Sequence, residues 1–227
     1  MKKRLAVFLL TIVTGVGIHL RFFYYRVWLS TTSPTNQYTV ELTGDKRRGG
    51  PLMPSSVKYN VLSNGQYLAK DRLAHSDDNN YLGFEQAYPE HAWINENTLR
   101  FWRNSDNSEP TTLLISNRTD RAIKFARILG GRDMFLIFDI PPRSSMKLAF
   151  SNELSGNNFL IDGEFDDGSV LFYGAGFVPS DRVGQHFGYC MTVDHGTVTM
   201  SSPYERGYDY RGQWNRHNLD PSPACQP

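Results

Sequence analysis

The chain is poor in the features that announce chemistry. It has two cysteines in 227 residues, Cys190 and Cys225, and no cysteine set near a histidine in a nucleophile pattern. There is no HExxH, no P-loop and no GxGxxG, so metalloprotease, nucleotide and dinucleotide chemistry have no sequence warrant, and no cofactor is implied. No GxSxG elbow marks a hydrolase nucleophile. No two of the six histidines stand at metal-ligand spacing. The formal net charge is +1, with Lys and Arg scattered rather than striped, which argues against nucleic acid as a partner. No internal repeat marks a solenoid.

What is present is apolar and punctuated. Hydrophobic residues make up 40% and aromatics 13% of the chain, enough for a sizeable core. The 19 glycines and 12 prolines fall mostly between short apolar runs, as turns do in an all-β protein. The run Thr111–Phe150 predicts four successive strands. Leu113 and Ile115 share a face, Ile123 and Phe125 share another, and Gly130-Gly131 offers a hairpin turn. Met134–Ile140 is apolar except for Asp139, which fits a strand buried on both faces. Pro141-Pro142 ends it, since proline has no N–H for a ladder. Further strands are expected around Tyr38–Leu42, Val57–Val61, Thr98–Trp102, Val170–Tyr173, Phe187–Val193 and Thr197–Met200. Asn64-Gly65 and Asp167-Gly168 are hairpin signals, and Phe84–Tyr88 reads as a short helix stopped by Pro89. The expected fold is an antiparallel β-sandwich, immunoglobulin-like or C2-like, over 37–202, as one body or as lobes 37–109 and 110–202.

The N-terminus carries the most specific signal. Lys2, Lys3 and Arg4 precede sixteen uncharged residues, Leu5–Leu20. As a helix these span about 24 Å, short of a bilayer core of roughly 30 Å. Arg21 can snorkel, and Phe22, Phe23, Tyr24, Tyr25 and Trp28 have the composition of an interfacial belt. The segment 1–29 is read as an uncleaved signal anchor, a transmembrane helix with its N-terminus cytoplasmic, and 30–36 as a polar linker. Cleavage near Gly15-x-Gly17 is the alternative. The membrane is then one partner, and an unidentified protein or envelope component the other. The tail 203–227 has one large aliphatic residue, Leu219, and cannot build a core of its own.

Candidate site residues are few. Asp77 and Asp78, with Asp162, Glu164, Asp166 and Asp167, can supply oxygen ligands to Ca²⁺ if their loops converge, although neither run has a fixed ligand spacing. An enzymatic site would have to assemble in space from residues such as His75, Asp77, Asp78, His91 and Glu96. Cys190 and Cys225 can form a disulfide in an oxidising compartment, clipping the tail to the body. Asn117-Arg118-Thr119 is a glycosylation sequon in an expected turn. Trp93, Trp102 and Trp214 are either core-filling or a binding surface. The balance favours a non-catalytic binding or structural module of the cell envelope.

Overall fold

The computed structural model describes residues 10–15, 27–44, 56–76, 83–103, 111–150, 159–175, 188–194 and 197–201. The chain divides into two compact units, Met1–Ala87 and Tyr88–Pro227. Mostly antiparallel sheets make up both, as an all-β chain requires.

In the first unit, residues 10–15 form an exposed helix, α1. Among the described residues no helix is long and apolar enough to cross a membrane. The remainder of the expected span, 1–9 and 16–26, lies outside the described residues. Where the anchor and linker were expected to meet, Val27–Thr32 is instead a strand, β1. It pairs antiparallel with β2, Tyr38–Gly44, from Leu29↔Leu42 to Thr32↔Thr39. The reason is local. Ser33 Oγ accepts the Tyr38 amide at 3.0 Å, and Asn36 takes a left-handed φ of 63°, so Ser33–Gln37 closes a hairpin rather than extending as a stalk. Trp28 therefore belongs to a sheet, edge-on to Phe84 at 5.6 Å.

Strands β3, Ser56–Ser63, and β4, Gln66–Ser76, complete the order β1-β2-β3-β4. Asn64 and Gly65 have φ of 49° and 80°, the two positive values that a type I′ turn demands. The expected short helix is α2, Phe84–Ala87. Strand β4 bulges at Asp71, whose φ is 52° and whose amide donates to Asn60 Oδ1 at 2.8 Å. An exposed, β-branched residue tolerates that conformation poorly. Asp71→Val is expected to lower stability by about 1–2 kcal/mol and Asp71→Gly by less than about 0.5, read from urea midpoints.

The second unit holds two sheets. Strands β5 (Glu90–Asn95), β6 (Thr98–Trp102), β8 (Ile123–Gly130), β9 (Asp133–Ile140), β11 (Phe159–Phe165) and β12 (Val170–Ala175) form one, in the order β12-β11-β8-β9-β6-β5. Strands β7 (Thr111–Asn117), β10 (Ser144–Phe150), β13 (Gly188–Asp194) and β14 (Thr197–Ser201) form the other, ordered β10-β7-β13-β14. One pair departs from the expected antiparallel pattern: β13 runs parallel to β7.

One apolar core draws on both sheets, with Ile128, Phe135, Ile137 and Ile161 from one and Leu113, Ile115, Leu148 and Phe150 from the other. Phe135 and Phe150 meet edge-on at 4.9 Å. Strand β9 is buried at every position but Asp139, as its apolar run predicts. The four strands of 111–150 are not a meander, however. β7 pairs with β10 in one sheet, while β8 pairs with β9 in the other. Alternation fixes which residues share a face, but not which strand lies beside which. The polar run after Asn117 is therefore a corner between sheets rather than a hairpin turn. The β8–β9 turn also sits one residue later than Gly130-Gly131 suggests, since Gly130 pairs with Asp133 and the loop is Gly131-Arg132.

Candidate functional site

Three loops meet at one end of the second unit: 118–122, 141–143 and 166–169. Asn117, the last residue of β7, is only 1% exposed, so its carboxamide must find partners within the protein. Its Nδ2 donates to the carbonyls of Arg121 at 2.8 Å and Pro141 at 3.0 Å. Its Oδ1 accepts from the Thr119 amide at 3.2 Å and the Thr119 hydroxyl at 2.7 Å. The same hydroxyl accepts the Arg121 amide at 3.2 Å. Arg143 N donates to Thr119 O at 3.2 Å, and Arg118 N to Val193 O at 2.8 Å. The third loop joins through Asp166, whose amide donates to Ala122 O at 3.0 Å and whose carboxylate accepts from Ala122 N at 3.3 Å. One asparagine thus ties two of the crossings between the sheets, from β7 to β8 and from β9 to β10. The sequon reading is corrected by the same bonds: the nitrogen a glycan would need is buried and already committed to two carbonyls.

Between β8 and β11 runs a set of ion pairs. Arg127 Nε donates to Asp162 Oδ2 at 2.9 Å, and Lys124 reaches Glu164 at 3.4 Å. Arg121 donates to Asp167 at 2.7 Å and to Ser169 Oγ at 2.7 Å, with its guanidinium 4.2 Å above the Phe165 ring. The Ser169 hydroxyl, the Arg121 guanidinium and the Ser169 amide hold the Asp167 carboxyl well below the usual carboxylate range. Its contribution to stability is present above the unfolded pKa and fades as the pH falls through the folded one. Asp167 is exposed, so solvent screening keeps that contribution small.

A second polar group lies within the same unit. Asp133 is buried and accepts from Arg100 Nε at 2.7 Å, while Arg100 sits 5.0 Å above the Trp102 ring. Burial pushes the Tyr88 hydroxyl up to about 12, a rise that the Arg127 charge offsets and the Asp133 charge adds to. A raised folded pKa means that the native state keeps a proton the unfolded chain loses above roughly pH 10. Tyr88 therefore contributes full stability below that pH and loses it as the pH rises toward 12. Tyr88→Phe is expected to flatten the fall in unfolding free energy over that window by about one proton's slope, measured by urea titrations at stepped alkaline pH.

The structure distributes the sequence candidates rather than gathering them. Asp162, Asp166 and Asp167 share one hairpin, but each accepts from a donor of its own. Asp77 and Asp78 lie outside the described residues. Among the described residues no group of three or more His, Cys, Asp or Glu is placed to hold a metal. His75 is buried in β4, edge-on to Phe84 at 6.0 Å. His91 stacks on Phe101 at 5.6 Å in the second unit, and Glu96 is in the turn after β5. Cys190 stands opposite Leu114 and Ser201 in the sheet register, and Cys225 lies outside the described residues. Trp93 packs against Phe138 at 6.0 Å, and both Trp93 and Trp102 are half-buried; Trp214 lies outside the described residues.

Sequence reasoning treated Asn117 and Thr119 as turn formers and passed over Arg127. A readable signal existed for the arginine. It is the lone charge within Phe125–Leu129, and a charge in such a run needs a partner from another strand.

No family model and no curated protein matches the chain. One solved structure, an NMR structure of a protein from Eubacterium rectale, matches at 15% identity with a TM-score of 0.33, covering 44% of this chain and 95% of its own. A likeness that slight carries no argument about fold or function.

Proposed function

We propose that the chain is a membrane-tethered, extracytoplasmic binding or structural module of the cell envelope, without catalytic activity, whose second unit is a β-sandwich of immunoglobulin-like or C2-like type. The observation that carries the tether is Lys2-Lys3-Arg4 followed by sixteen uncharged residues. With β1 beginning at Val27, the stretch available for an anchor is 5–26. The loop end of the second unit supports the binding role. Arg118, Asp120, Arg143 and Asp166 are exposed on loops that the Asn117 corner holds still, which is how sandwich folds present recognition residues. The partner is a protein or envelope component with a mixed-charge surface.

Fractionation of the full chain tests the tether. Retention in the membrane pellet after alkaline carbonate washing, at the intact mass, is the expected result. A soluble product lacking its first residues contradicts it. Charge-reversal of Arg118 and Arg143 together is expected to abolish capture of the partner from solubilised membranes without changing the melting temperature by more than about 1 °C, because exposed charges contribute little to stability.

A further inference from the structure

Among the described residues, strand β12 is an open edge: it ends the six-stranded sheet, and β11 is the one strand hydrogen-bonded to it. The opposite edge, β5, carries Glu90, His91 and a register shift between Trp93 and Asn95, features that discourage a further strand. Strand β12 reads Val-Leu-Phe-Tyr-Gly-Ala, with no charge and no proline. Val170 and Phe172 are 70% and 65% exposed and share one face, while Leu171 between them is buried. An open edge with an apolar row beside it fits one more strand.

The chain carries a segment of matching design. From 204 to 214 the even positions are Tyr, Arg, Tyr, Tyr, Gly and Trp, and the odd ones are Glu, Gly, Asp, Arg and Gln. Aromatic and polar residues alternate with period two, the pattern of a half-buried strand. Nothing in this segment forms a core of its own, so its aromatic face needs an existing surface. The segment also follows directly on a strand that neighbours β12. Strand β14 ends at Ser201 and lies beside β12, with Cα atoms within 8 Å. Pro203 stops the β14 ladder, and the three steps from Ser201 to Tyr204 reach about 10 Å.

We propose that residues 204–214 add to the free edge of β12 as a seventh strand, laying Tyr208 and Tyr210 over Val170 and Phe172. Main-chain bonds to β12 supply the pairing, and the two tyrosines, spaced two apart like the residues they cover, set the register. A tether this short gives the tail a high effective concentration, so it outcompetes a second copy or a foreign strand.

Hydrogen exchange of the peptide spanning Val170–Ala175 tests this on the full chain in detergent. Three proteins are compared: the unmodified chain, the chain ended after Ser201, and the double variant Tyr208→Ser, Tyr210→Ser. The β9 peptide reports whether each is folded. Expected is protection of more than half the β12 amides in the unmodified chain, independent of protein concentration, with exchange about tenfold faster in both variants and β9 unchanged. Equal exchange in all three proteins overturns the proposal. So does protection that rises with concentration, which identifies a second copy as the occupant. If the variants fail to fold, the unmodified chain decides alone: protection of half or fewer of the β12 amides means an open edge and overturns it.

Discussion

Asn117→Ala is expected to lower the unfolding free energy by about 1–2 kcal/mol. The magnitude follows from what the truncation strands. The Thr119 amide loses its acceptor, while Arg121 O keeps the Thr119 hydroxyl at 3.0 Å and Pro141 O keeps the Ser144 hydroxyl at 2.7 Å. Each buried group left unpaired costs on the order of 1 kcal/mol or more. Thr119→Val removes one hydroxyl at nearly constant shape and is expected to cost about 1–2 kcal/mol. Asn117→Asp is the diagnostic variant. It keeps the shape but turns a carboxylate oxygen toward two carbonyls, so its loss at neutral pH matches or exceeds that of alanine. Acidification restores some of it, because a protonated carboxyl donates again. Urea unfolding at pH 7 and pH 4 reads all three variants. A loss under about 0.5 kcal/mol for the alanine variant contradicts the corner's role.

The second large effect is steric. Gly163 in β11 lies so close to β8 that an added Cβ would stand 2.2 Å from Phe125 O and 2.9 Å from Ala126 Cα. Both are backbone atoms of a central strand and have no rotamer by which to retreat. Gly163→Ala therefore forces the paired strands β8 and β11 apart and is expected to cost about 3 kcal/mol. Gly168→Ala isolates the other penalty that glycine replacement brings. Its φ is 83° and its Cβ meets open space, so conformational strain alone remains, about 1 kcal/mol. The expected ordering of thermal midpoints is Gly163→Ala well below Gly168→Ala, with both below the parent. Equal midpoints contradict the close approach of β8 and β11.

These two positions show what was legible in the sequence. The strands could be read because alternation at Leu113/Ile115 and at Met146/Leu148/Phe150 is a local property, set by the pleat. Asn64-Gly65 and Asp167-Gly168 were legible for the same reason, since a positive φ is demanded within the turn itself. Sheet membership was not, because it is decided by partners far along the chain. Thr111–Phe150 reads as a meander, yet its first and last strands pair with each other, in register from Thr111↔Phe150 to Asn117↔Ser144. The corner was missed because Asn117 and Thr119 look like ordinary turn formers until their burial is known. Gly163 looks like a weak point in a strand, and only the closeness of Phe125 gives it a purpose. The β1 strand was missed because Val27–Leu29 continues an aromatic, apolar run, and composition there does not separate the end of an anchor from the start of a sheet. The acidic run Asp162–Asp167 was expected as a loop, but Asp162 and Glu164 lie within β11, and the basic residues that pair with the run sit on or just before β8, some forty positions earlier.

The central functional claim is that the body lies on the far side of the membrane that the first residues enter. Protease added to intact cells expressing the full chain, with and without permeabilisation, measures it directly. The account predicts cleavage of the body in intact cells, or in cells stripped only of their outer barrier, with the extreme N-terminus protected until the inner membrane is opened. A body that stays intact until the cytoplasm is exposed contradicts it.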